Sequence, residues 1–338
     1  MRRKLSFVVL TIAGFFAFPL SVLVYPPPAR HVVFPDGKRF AFSIVDDTDM
    51  TTLERARQVY EVLEKNGLRT TKTVWVLDSS DKSNDANQGD TLRDPQYREF
   101  VLDLQRKGFE IALHGVRGGG SRREDTQRGL EEFKRQLGAY PRMHINHSLN
   151  QDNLYWGAEL FSFMPYRWAG ALAIRHEFAG HDPRSPYFWG DLAQQHVQYV
   201  RRFTFPDINL LNVNPAFPYK VASMPYVNYW FPTSNGNRMI EFDELLKPAN
   251  LDRLEREGGV SLVYAHLGSG SFNRNGRVHP RFEARIKELT ARNGWFAPAS
   301  EILDHLRRQP GWTGQLSYRE GLRLETNFAF RRTLFGHE

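Results

Sequence analysis

The chain has no cysteine among its 338 residues. That excludes disulfides, thiolate metal sites and a cysteine nucleophile. Internal repeats and low-complexity tracts are lacking too. The run Gly118-Gly119-Gly120 is not followed by the Lys-Ser/Thr of a phosphate loop, so it reads as a flexible loop of close backbone approach. No helix-turn-helix, finger or RNA-binding signature accompanies the net charge of +7, and the arginines are scattered. Nucleic acid is therefore not an expected partner. Attraction to anionic glycans or membrane surfaces accounts for the charge as well.

What is present suits one large domain. Hydrophobic residues make up 41% and charged residues 25%, enough for a single core and unlike a disordered chain. Met1-Arg2-Arg3-Lys4 is basic, and no charge follows until Arg30. Leu5–Tyr25 is long enough to cross a bilayer as a helix, and its positive flank predicts a cytoplasmic N-terminus with the rest exported. A cleaved signal peptide is the competing reading, although Ser21-Val22-Leu23-Val24-Tyr25 is bulky for a cleavage site. Residues 1–29 are thus read as a membrane anchor or signal with a stiff Pro26-Pro27-Pro28 spacer.

Strand and helix patterns then alternate. Arg39–Val45 is a β-rich apolar run. Thr51–Asn66 carries helical spacing at Leu53, Ala56, Val59, Tyr60 and Leu63 and stops at Gly67. Thr70–Leu77, Phe109–His114 and Arg142–His147 read as strands, Asp94–Lys107 and Ser121–Leu137 as helices, the last with a Ser121/Glu124 capping box and Gly138 as its stop. Between about 150 and 237 periodicity fades, with Tyr199–Phe203 and Met239–Phe242 as candidate strands. Later come a helix at Asn250–Glu257, a strand at Gly259–His266, a helix at Pro280–Arg292, a short strand at Trp295–Ala297 and a helix at Ser300–Arg308. This order predicts a parallel α/β fold, a distorted (β/α) barrel over 30–309. Alternation at Leu322–Thr326 and Phe328–Phe330 predicts a β-hairpin extension within 310–338.

Polar groups cluster at the C-terminal ends of the predicted strands, the edge where α/β barrels carry their sites. They are Asp46-Asp47-Thr48-Asp49, His114-Gly115, His144-Ile145-Asn146-His147 and His266-Leu267-Gly268. A carboxylate with two imidazoles suits Zn²⁺ or a similar divalent ion. A second carboxylate can take a proton from water, and a separate histidine can protonate a leaving group. Asp49 reads either as a helix N-cap or as part of this site. Aromatic clusters such as Tyr155-Trp156 and Tyr229-Trp230 read as packing, with one or two as sugar platforms.

Phe42-Ser43-Ile44-Val45-Asp46-Asp47, Gly108-Phe109-Glu110-Ile111-Ala112-Leu113-His114, Leu262-Val263-Tyr264-Ala265-His266 and the ending Asn293-Gly294-Trp295-Phe296 together resemble the polysaccharide deacetylase (NodB-homology) family over roughly Arg39 to Arg308. The resemblance implies Asp46 as general base, Asp47 and His114 as metal ligands and His266 as catalytic acid. It departs from the family at the second metal histidine, one helical turn after the first, where Gly118 stands, and at the Arg-x-Pro-Tyr motif, replaced by Met143–Ser148. The second imidazole is therefore expected from His147, with His144 as substitute. In an extended strand only one of the two faces the site. The implied activity is metal-dependent removal of acetyl groups from an extracytoplasmic polysaccharide. The alternatives are an inactive glycan-binding barrel of an envelope system, motivated by Gly118, and a related metal-dependent amidase.

Overall fold

The computed structural model describes Val22 and residues 30–173, 176–274 and 276–335. Apart from Val22, the segment read as an anchor or signal lies outside them. Among the described residues no helix is long and apolar enough to cross a membrane.

Seven parallel strands form a ring: β1 (Phe40–Asp46), β2 (Thr71–Val74), β3 (Glu110–Leu113), β4 (Met143–His144), β5 (Tyr199–Phe205), β6 (Tyr229–Asn235) and β7 (Val260–Ala265). Pairing of β7 back onto β1, from Ala41↔Val260 to Asp46↔Ala265, closes it. β1 meets β2 only at Val45 and Asp46. A further strand, β10 (Gly294–Phe296), pairs with Phe40–Phe42, the part of β1 that β2 leaves open. A small antiparallel pair, β8 (Asn273–Arg274) and β9 (Arg277–Val278), lies outside the ring.

The helices of the first half form for local reasons visible in the sequence. Helix α1 (Leu53–Lys65) is capped by the Thr52 side chain and buries Ala56, Val59, Tyr60 and Leu63, one stripe at i, i+3, i+4 and i+7. Helix α2 (Pro95–Arg106) starts at Asp94, whose carboxylate accepts from the Gln96 and Tyr97 amides. Helix α3 (Arg123–Leu137) ends at Gly138 with φ +87°, a left-handed cap that glycine takes without strain. The Ser121/Glu124 capping box does not form. Arg122 occupies the cap without a side-chain bond, and the Ser121 amide donates instead to Asp152.

The middle holds α4 (Met164–Ala173), α5 (Gly190–His196) and α6 (Leu210–Val213), then α7 (Met239–Leu245) where a strand is expected from Met239–Phe242. Met239, Phe242 and Leu245 are buried at i, i+3 and i+6, so helical spacing decides this segment. Strand β6 lies in the stretch where the sequence shows little periodicity and carries Pro232. Its missing N–H is harmless because the β5–β6 register jumps from Arg201↔Phe231 to Thr204↔Thr233, so Pro232 faces a bulge.

After α8 (Pro248–Glu257), α9 (Pro280–Thr290) and α10 (Ala299–Arg307), the tail is not a hairpin but a helix, α11 (Tyr318–Phe335). Only Asn327 separates the two alternating runs, too little for a hairpin loop. Leu322, Glu325 and Phe328 are buried at helical spacing instead, and Glu325 pairs with Arg202 at 2.8 Å, both side chains buried.

Candidate metal centre

Five side chains meet at the C-terminal mouth of the ring. Asp47 and Asp49 follow β1, His114 follows β3, His147 lies beyond β4 and His266 follows β7; all are buried. His114 Nε2 stands 2.9 Å from Asp47 Oδ1 and 3.0 Å from Asp49 Oδ1. His147 Nε2 is 3.5 Å from Asp49 Oδ1. His266 Nε2 is 3.6 Å from Asp49 Oδ2 and 3.9 Å from Asp47 Oδ2. Ligand atoms of Asp49, His114 and His147 lie within 4.8 Å of one another, as do those of Asp47, Asp49 and His266.

Asp46 is not brought to this cluster, which corrects the role expected for it as base. Adjacent residues of a strand face opposite sides. Asp46 points into the layer between β1 and α1, where its Oδ2 accepts from Lys72 Nζ and Tyr60 Oη, each at 2.9 Å, and its Oδ1 from the Leu267 amide at 2.8 Å. Asp49, whose alternative reading is a helix cap, is in the cluster, and Thr52 caps α1. Only Thr48 separates Asp47 from Asp49, an i, i+2 spacing that puts both on one face of an extended chain and could have identified the pair.

His144 is also absent from the cluster, as strand alternation requires. Its Nε2 meets Asn146 Oδ1 at 3.0 Å, its ring packs edge-on to Trp189, and burial pushes its pKa down to about 3. It stays a neutral structural residue.

The residues present fit a divalent cation. Both oxygens of Asp47, Asp49 Oδ1 and His114 Nε2 are buried without a hydrogen-bond partner, so their close approaches are not aligned hydrogen bonds. Such a set is costly unless something positive completes it. His114 Nδ1 lies 3.1 Å from the Ile145 carbonyl; donating there fixes the ring with Nε2 turned to the carboxylates, so that loss of the Nε2 proton would leave a ligating lone pair. Trp75 stacks beside His114 and donates to its carbonyl at 2.8 Å. His147 is held differently: Nδ1 accepts from the Leu149 amide and Nε2 lies 3.2 Å from Ala86 O, so ligation through Nε2 requires that contact to be given up.

The loop that supplies Ala86 also explains Gly118. A Cβ there would lie 2.6 Å from Asn87 O and 2.8 Å from Asn87 Cα. No side chain, histidine included, fits without moving the 3₁₀ turn Asp85–Asn87.

Charge settings diverge within the cluster. Burial would raise the pKa of Asp47 and of Asp49, but the facing histidines outweigh it and hold both carboxyls low. Burial likewise opposes the charged form of His114, yet Asp47 and Asp49 push it up to about 10. His266 is raised against burial by its contact with Asp49 and by Asp47. Tyr264 Oη lies 3.3 Å from His266 Nε2. A pocket of about 390 Å³ opens beside Asp47, Asp49 and His114, walled by Trp156, Phe178 and Phe328 of α11.

Neither a family model nor a curated protein matches the sequence. Solved structures match in fold. A protein of Mycobacterium smegmatis described as a polysaccharide deacetylase is 17% identical with a TM-score of 0.48, over 84% of this chain and 95% of that one. One of Pseudomonas aeruginosa so described is 15% identical with a TM-score of 0.47, over 85% and 96%. PuuE allantoinase is 13% identical with a TM-score of 0.45, over 85% and 96%. These are likenesses of chain trace, and the site must be argued from its own residues.

Proposed function

We propose that this protein is a metal-dependent deacetylase acting on an extracytoplasmic polysaccharide. The observation that carries the reading is the set of buried polar atoms on Asp47, Asp49 and His114 that crowd one another at the ring's mouth without aligned hydrogen bonds. Asp49, His114 and His147 would hold the ion, Zn²⁺ by the chemistry of one carboxylate and two imidazoles. When bound, such an ion polarises an acetyl carbonyl and lowers the pKa of water. Asp47, kept ionised, accepts a proton as water attacks. His266, kept protonated and contacted by Tyr264, gives a proton to the departing amine or alkoxide. Two titratable groups held in opposite states beside one another are what acid–base hydrolysis needs. The aromatic walls offer apolar surfaces to sugar rings. The basic start and uncharged run of residues 1–29 support an exported, membrane-anchored or secreted protein.

Acetate release from acetylated oligosaccharides by the zinc-loaded protein tests this. Asp47→Asn and His266→Ala should each abolish most turnover while retaining zinc; wild-type rates in both would overturn it. One observation favours a second reading, an inactive glycan-binding barrel: His147 Nε2 is engaged by Ala86 O. Failure to bind zinc stoichiometrically would select that reading.

A further inference from the structure

Two consecutive arginines on β5 have opposite fates. Arg202 is fully accounted for, pairing with Glu325 and donating to the Leu160 carbonyl. Arg201 is only 7% exposed and lines the same pocket as Asp47, Asp49 and His114, yet no carboxylate among the described residues pairs with it. Its Nη1 donates to Thr204 Oγ1 at 2.9 Å, and its guanidinium lies 3.9 Å from the centre of the Tyr264 ring. Its Nε is buried without a partner, and no hydrogen bond from Nη2 occurs among the described residues.

Three features make this a built site rather than a stray cation. Residues 201 and 204 would face opposite sides of a regular strand, but the bulge between them brings both to the pocket. Thr204 and the Tyr264 face then fix the guanidinium plane, leaving the Nε–Nη2 edge without a hydrogen-bond partner among the described residues. That edge is a planar two-donor fork, matched to a carboxylate. β5 is also three strands from β1 in the ring order, so Arg201 and the Asp47–Asp49 pair rise from different sides of the mouth.

We propose that Arg201 and Thr204 form a subsite for the carboxylate of an acidic sugar, so that the preferred substrate is an acetylated glycan containing uronic acid. The proposal rests on the reading of this pocket as a glycan deacetylase site and names its substrate class.

Binding separates the two readings, because it needs no turnover. The zinc-loaded protein is titrated calorimetrically with two tetrasaccharides, one of N-acetylglucosamine alone and one alternating N-acetylglucosamine with glucuronic acid. The glucuronate ligand should bind at least about tenfold tighter, consistent with a charge-assisted bidentate contact. Arg201→Gln should remove that preference and leave the neutral ligand's affinity within about twofold. Arg201→Lys, which keeps the charge but not the fork, should lose most of the preference and carries the test if the Gln variant misfolds. Equal binding of the two ligands by the wild type overturns the subsite. So does an Arg201→Gln variant that weakens both ligands alike, since the arginine would then merely support Tyr264 and His266. Tighter binding of a 6-O-sulfated neutral backbone than of the glucuronate ligand overturns the carboxylate assignment. Bound ligand without acetate release would instead sink the hydrolytic reading and leave the subsite standing.

Discussion

Asp46 and Asp47 are chain neighbours, both wholly buried, in opposite electrostatic settings. On the helix side of β1, Asp46 has a cation, a phenol and an amide on its two oxygens. At the barrel mouth, Asp47 and Asp49 crowd three histidines and leave polar atoms unsatisfied. The first network is closed and holds β1, β2, α1 and the start of the β7 loop together. The second is left open to accept something. Burial alone does not mark a functional carboxylate; an incomplete set of partners does.

The difference can be broken at its strongest point first. Asp49→Asn and His114→Ala should weaken zinc binding at least about 100-fold and lower kcat/KM by roughly 10³-fold or more, read by metal analysis and acetate release. Asp46→Ala should do the reverse. It strands Lys72 in the interior and should cost about 3–5 kcal/mol in urea unfolding, while the folded fraction still binds zinc. Asp46→Leu with Lys72→Met should recover most of that loss, because it removes both charges. A large zinc defect in Asp46→Ala would erase the distinction between the two networks.

A third buried carboxylate sharpens it. Asp152 accepts from the Ser121 amide but has no ion pair among the described residues, and burial pushes its pKa up to about 7. A raised folded pKa favours the protonated form. The stability Asp152 contributes is therefore full below its unfolded value near 3.9 and is lost as pH rises through about 7. Asp152→Asn keeps the acceptor without the charge. It should gain on the order of 1–3 kcal/mol over the wild type at pH 8 and nothing near pH 4, by thermal unfolding across pH. A last effect concerns metal uptake. His114, pushed up to about 10 against burial by Asp47 and Asp49, carries a proton that must leave on ligation. Zinc affinity should fall by about tenfold per unit as pH drops below that value, with proton release in calorimetry.

The regular half of the barrel was readable because its elements carry their own punctuation: Asp94 and Gly138 bound helices where the sequence places them, whereas the cap of α1 is Thr52 and not Asp49. The site was readable to the level of strand ends. The doublet Asp46-Asp47 misled because sequence adjacency hides alternation, so the useful pair is Asp47 with Asp49. Strand β6 and the bulge of β5 were hidden by their mutual dependence: Pro232 is acceptable only opposite the register jump, and neither is predictable without the other. The tail misled because a period of two and a period near three agree at several positions of Leu322–Phe330.

The turn Asp85–Asn87 has an implication for engineering. Its Asn87 backbone blocks any side chain at position 118, while its Ala86 carbonyl engages His147. Moving an imidazole from one position to the other therefore cannot proceed by point substitution. Gly118→His alone would collide with the turn, and loss of His147 alone would empty a corner of the cluster. Relocating the imidazole in an engineered variant therefore requires the loop and both positions to change together.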